Sequence, residues 1–272
     1  PTLTYSNLTD SSWTEVKSDM IHKVANDHGL TFVDLLYDVN IGVDFTIDTY
    51  DAGVHMNIRG AEKVTAYLGS YLLENHDLRQ QNNTQYDEML QEYRKVRKIA
   101  MLQSEKDFYE FIKLLAANSD KWTVFISAYD EYTEALDESD YTFLRDKLGL
   151  NLIANGGFAD SYVAVIKNGE VEYEAVSGRR IEYNTWVNGQ PVYICSSGWY
   201  SIPHSAIKID GTEYSPTSYG LNFVVYDNEA GLPIASMAFN TRYKEKPLKQ
   251  GGWTYRMLRN YESKICFERG GI

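Results

Sequence analysis

A chain of 272 residues, 43% hydrophobic and 24% charged, has the make-up of a folded globular protein and the length for one large or two ordinary domains. Its net charge of -12, with no basic cluster to offset it, argues against a nucleic-acid surface. No run of about 18 apolar residues is present to cross a membrane as a helix, and the polar opening decapeptide does not read as a signal peptide.

The capping box Ser12-Trp13-Thr14-Glu15, followed by apolar positions Val16, Met20, Val24 and Ala25, predicts a helix to about Asp27. Gly29 closes it, and the apolar run 31–36 reads as a buried strand. A loop follows that holds Asp48, Asp51 and His55. After it, Val64, Tyr67, Leu68, Tyr71 and Leu72 form a helical stripe. One strand and two helices do not close a core, so residues 1–80 read as the last portion of an α/β domain. An unfinished parallel sheet would leave an edge open to a second copy, making a missing N-terminal half or a homo-oligomer the expected complement.

Residues 81–118 read as connector helices, one charged (about 86–102) and one apolar (from Phe108 to near Asn118). The pattern then changes to short strands with tight turns. Strands are expected over 122–127, 161–167, 170–176, 181–187, 192–196, 206–209, 221–226 and 234–239, with a short helix over 141–149. Asn168-Gly169 and Asn188-Gly189 are strong hairpin turns. The fold class expected is α+β: a β-sandwich-like domain over 119–245 with flanking helices, preceded by the partial α/β unit and connectors. A Gly-rich, basic tail occupies 246–272.

The two cysteines, Cys195 and Cys266, show no metal-ligand spacing and are too few for a disulfide framework. Whether they pair is left open, and no metal or cofactor is expected. The 22 tyrosines suit carbohydrate contacts, though tyrosine also serves packing wherever it lies.

Asp51…His55-x-Asn57-x-x-Gly60-Ala61, ahead of an amphipathic helix, resembles the last sequence block of SGNH (GDSL-type) hydrolases and acyltransferases. That block carries the family's catalytic His with an Asp usually three residues before it, whereas here the Asp stands four before. The form is closest to variants of bacterial cell-surface polysaccharide clusters. The resemblance implies that His55 is a general base and that Asp51 orients it. The family's Gly-Asp-Ser nucleophile block and its oxyanion-hole residues are not recognisable, so the pair is expected to be a half-site. Asp160-Ser161 is the nearest echo, and Ser161 opens a predicted strand, which makes it structural.

A second set of residues resembles the interleukin-like EMT-inducer (ILEI) domain. It comprises Ser196-Ser197-Gly198-Trp199, then Ser205 through Ser215 with Asp210-Gly211, then Gly220-Leu221-Asn222-Phe223, then Phe239-Asn240-Thr241. Asn240 departs from the family's Asp, and the family's disulfide cysteines are not evident. A related module in the stem of a protein O-mannose glycosyltransferase binds sugars, so the resemblance implies recognition of a cell-surface glycan. Trp199 and Tyr200 are the candidate stacking residues. Asn222 reads as closing a turn. Together the two resemblances imply a bacterial, extracytoplasmic protein that esterifies or de-esterifies surface polysaccharide. The alternative is a non-catalytic carbohydrate-binding or structural module.

Overall fold

The computed structural model describes residues 11–35, 41–50, 55–77, 84–244, 248 and 250–251. The chain divides into two compact units, Pro1–Ser104 and Glu105–Ile272. No described helix is long and apolar enough to cross a membrane.

The described part of the first unit holds three helices: α1 (Ser11–Asp27), α2 (Ile58–Asn75) and α3 (Thr84–Ser104). Asn57 caps α2, its Oδ1 accepting the N–H groups of Arg59 and Gly60; those donors have no partner inside the helix. Glu62 joins α2 to α3. It accepts two N–H groups of Arg97, a bidentate pair, and the Tyr93 hydroxyl at 2.8 Å. The guanidinium holds its carboxyl below the ordinary range.

The buried strand expected over 31–36 is not there. Residues 31–34 have no regular structure, Leu35 lies in a turn, and residue 36 falls outside the described residues. A strand persists only against a ladder partner. The one bridge outside named strands among the described residues, Thr49 with Met56, offers no partner to 31–35. The described residues of this unit are therefore helices and loops.

The second unit is α+β. Helix α4 (Phe108–Ala116) presents Phe108, Phe111, Ile112 and Leu115, all buried, at i, i+3, i+4 and i+7. Phe111 meets Phe223 edge-on at 5.3 Å between centroids, and Phe108 meets Phe239 at the same distance. This helix is thus packed into the strand-bearing unit, where the sequence reading had grouped it with the charged helix as a connector. Helix α5 (Glu138–Leu148) starts in a reciprocal capping box between Asp137 and Asp140 and ends at Gly149, which has a left-handed φ of 75°.

The strands are β1 (Trp122–Asp130), β2 (Ser161–Lys167), β3 (Glu170–Ser177), β4 (Ile181–Val187), β5 (Gln190–Gly198), β6 (His204–Ile209), β7 (Thr212–Glu213), β8 (Gly220–Asp227), β9 (Leu232–Phe239) and β10 (Gln250–Gly251). β1 is the hinge of the arrangement. Along one edge it pairs antiparallel with β8 from Trp122 to Tyr129. The rest of its pairing is divided: Val124 to Ser127 pair with β2, while Tyr129 and Asp130 pair in parallel with Ser197 and Gly198 of β5. The sheet forks at that point. One branch runs β3-β2-β1-β8-β9-β10 and the other β4-β5-β6-β7.

Between the branches lies an apolar core that includes Phe125, Val163, Val165, Val192, Ile194, Ile207, Ile209 and Val224. Alternation along β1 sends Phe125 to this core, while Phe223, opposite Ile126, faces α4. Two serines stitch the fork. The Ser196 hydroxyl donates to the Ala128 carbonyl at 2.7 Å and accepts the Tyr162 N–H at 3.0 Å. Ser161 Oγ accepts the Gly198 N–H at 3.1 Å, so Ser161 is structural. Cys195, beside them, is a buried free thiol.

Candidate functional site

Each unit holds one region that the sequence singles out. In the first, the loop ahead of α2 is built around Asp48, which is only 1% exposed. Its Oδ2 accepts the Asp44 N–H at 2.7 Å and the Lys63 ammonium at 2.5 Å. Lys63 also donates to the Gly42 carbonyl. Asn57 adds a side-chain bond to the Ile47 carbonyl, and its N–H goes to the Asp48 carbonyl. At Gly60 a Cβ would lie 2.5 Å from that same carbonyl oxygen. The Asn57-x-x-Gly60 spacing therefore has a local cause: Asn starts the helix, and Gly lets its first turn press against the loop. His55 is exposed, and its carbonyl accepts the Tyr50 N–H at 2.9 Å. Asp51, expected to orient it, lies outside the described residues.

In the second unit the fork opens a cleft of about 210 Å³, lined by Asp130, Glu131, Glu134, Phe158, Trp199, Arg242 and Tyr243. The topology places them. Asp130 ends β1, Trp199 follows β5, Phe158 comes from the loop before β2, and Arg242 and Tyr243 follow β9. Two of the turns are forced. Asp130 and Ala159 have φ of 68° and 66°, a conformation side chains other than Gly, Asn and Asp seldom take. At Gly198 a Cβ would meet the Ala159 carbonyl oxygen at 1.8 Å, so strand end and loop can close on each other only because the residue is glycine. Strained backbone of this kind clusters at functional sites.

Charge in the cleft is fixed. Asp130, 2% exposed, takes the Arg242 guanidinium on Oδ2, and its buried Oδ1 has no hydrogen-bond partner. Burial pushes this carboxyl up, against the pull of Arg242, and neighbouring Glu131 pushes the same way. Both oxygens of Glu131 are occupied, Oε1 by the Thr133 N–H and hydroxyl and Oε2 by the Ala159 N–H. Glu134 is exposed. Arg242 lies 4.5 Å from the Tyr219 centroid, 5.2 Å from Tyr243 and 5.6 Å from Trp199, within cation–π range of all three.

Of the two aromatic residues singled out by sequence, Trp199 lines this cleft and is 53% exposed, so it is no core residue. Tyr200 is 73% exposed and meets Phe158 edge-on at 6.3 Å; it stands beside the cleft lining. Asn222 closes the turn before β8, bonding both N–H and carbonyl of Ser218. Sequence reasoning missed Asp130, Glu134 and Arg242. Asp130 lies at a strand end with no pattern of its own, and Arg242 stands just past the last predicted strand with no motif of its own. Their only sequence signal was nearness to the Phe239-Asn240-Thr241 motif and to the end of the strand opened by Trp122. Among the described residues no group of three or more His, Cys, Asp or Glu could hold a metal ion.

Protein families, curated proteins and solved structures were compared with this chain, and none matches.

Proposed function

We propose that the second unit is a glycan-recognition module whose site is the cleft at the fork. The observation that carries this reading is the combination of Trp199, half exposed and braced by Arg242, with buried Asp130 on the same cleft. A sugar ring needs an aromatic plane for its C–H face and fixed acceptors for its hydroxyls. Trp199 supplies the first. Glu134, exposed on the same cleft, supplies the second, and Asp130 holds Arg242 in place beside Trp199. The resemblance to the ILEI domain points the same way.

The wider reading joins this module to an extracytoplasmic SGNH-type esterase or O-acetyltransferase of bacterial surface polysaccharide. What supports it is the His55-x-Asn57-x-x-Gly60 block, with His55 exposed on the loop that leads into α2. In this chain the pair is a half-site, because a base without a nucleophile completes no acyl transfer.

A glycan array probed with the chain tests the module: hits are expected, and Trp199→Ala abolishes them. An array with no hits, or hits that survive the substitution, removes the reading. Aryl acetate hydrolysis tests the half-site, with no turnover expected. Turnover that disappears in His55→Ala would require a nucleophile in this chain and overturn it.

A further inference from the structure

We infer that Asn168-Gly169, at the tip of the β2–β3 hairpin, is a site of self-modification, where the asparagine converts to aspartate and isoaspartate through attack by its own backbone. The sequence holds three Asn-Gly pairs, beginning at Asn155, Asn168 and Asn188. Asparagine is a thermolabile residue. A glycine after it leaves the next backbone nitrogen unshielded and free to turn toward the side chain. All three pairs carry that chemistry, and the fold decides which one uses it.

Two of the pairs are restrained. Asn188 donates its side-chain amide to the Asn228 carbonyl at 2.7 Å, so its carboxamide must leave that bond before it can reach the Gly189 nitrogen. Asn155 ends the one-turn 3-10 helix Ile153–Asn155, and the Gly156 nitrogen that would attack it donates to the Ile153 carbonyl at 3.3 Å. Asn168-Gly169 has neither restraint. Both residues are exposed, and among the described residues nothing hydrogen-bonds the Asn168 carboxamide or the Gly169 N–H.

The step balances with water alone. Hydroxide takes the Gly169 amide proton, and the nitrogen attacks Asn168 Cγ. The new N–Cγ bond forms, the Cγ–Nδ2 bond breaks, and ammonia leaves with a proton from water. Water then opens the cyclic imide at either carbonyl, giving aspartate or isoaspartate. Aspartate suits the site, because Asn168 has a φ of 51° and Asp shares the tolerance of Asn for that region. Isoaspartate instead adds a backbone carbon to the two-residue turn where Lys167 pairs with Glu170. The change falls on β3, which is hydrogen-bonded to β2 alone.

Peptide mass spectrometry of the full chain after native incubation at mildly alkaline pH tests this. Trypsin cuts after Lys147, Lys167, Arg179, Arg180 and Lys208, so each pair lies on its own peptide. A parallel incubation in guanidinium gives the unfolded rate, and the native-to-unfolded ratio at each pair removes the effect of neighbouring sequence. That ratio is expected to be about tenfold higher at Asn168 than at Asn155 or Asn188, the factor that one hydrogen bond carries. Both aspartate and isoaspartate are expected in the Asn168 peptide. Equal ratios, a higher ratio at Asn155 or Asn188, or an Asn168 that stays intact in the native chain overturns the inference.

Discussion

Asp130 carries more of the account than any other residue. It is buried, has a left-handed backbone, is paired to Arg242 and keeps one oxygen free. Asn tolerates φ > 0 far better than Ala does, so Asp130→Asn should lose only the ion pair, whereas Asp130→Ala adds backbone strain. In chemical denaturation Ala is expected about 1 kcal/mol below Asn. Equal losses would show that the left-handed backbone is not maintained.

The charge state of Asp130 also sets a pH window. Burial raises its carboxyl above the usual 3.8, opposed by Arg242 and assisted by Glu131; Glu134 is the other titratable group on the cleft. A carboxyl whose folded value is raised holds its proton to higher pH than it does when unfolded. Its charged form therefore costs stability above the folded value, and acidification relieves that cost. Followed by NMR, the Asp130 carboxyl should titrate with a midpoint above 3.8 rather than at it, and a midpoint at or below 3.8 would count against its burial.

Cys195 gives an independent check on the core, since burial raises its thiol. In a Cys266→Ser chain no thiol should react with a disulfide reagent at neutral pH until the second unit unfolds. Rapid labelling of the native chain would mean that the fork is open.

Two glycines set how elements approach one another. Gly60→Ala should gain up to about 1 kcal/mol in helix propensity. It would also drive a Cβ to 2.5 Å from the Asp48 carbonyl, which the local backbone cannot absorb without breaking the Asn57–Asp48 bond. The clash wins. Amide exchange around Asn57 to Glu62 should speed up by about tenfold, corresponding to a net loss of about 1.4 kcal/mol. Unchanged exchange would place the helix start elsewhere.

Much of the second unit was legible in the sequence at this scale. β2 and β4 begin and end where the hydrophobic runs do, because Asn168-Gly169 and Asn188-Gly189 enforce their turns. The remaining strands differ by a few residues at their ends. The division of β1 between β2 and β5 was not legible, since it depends on pairing between residues some seventy positions apart, and local pattern carries no such information. The cleft is built from that division, so Asp130 and Arg242 could not be brought together in advance. The run 31–36 misled for the converse reason: its composition suits a strand, but no ladder partner meets it among the described residues. Trp199 was singled out through the Ser196-Ser197-Gly198-Trp199 run that resembles the ILEI domain, while its exposure at the end of β5 was not legible.

For the whole molecule, the proposal has two parts: the second unit would hold a glycan, and the His55 loop would serve acyl chemistry for which no nucleophile block is recognised. The unit boundary follows Ser104, so α4 is joined to the strands that bury its four apolar residues. The glycan claim is the one on which the rest depends. Its most direct test is an indole N–H spectrum of the full chain, which has five tryptophans, during titration with a glycan oligomer identified on the array. The account predicts that the Trp199 resonance shifts saturably while the other four stay in place. A Trp199 resonance that does not move at saturating oligomer, or a shift confined to exposed Trp186 on β4, would contradict it.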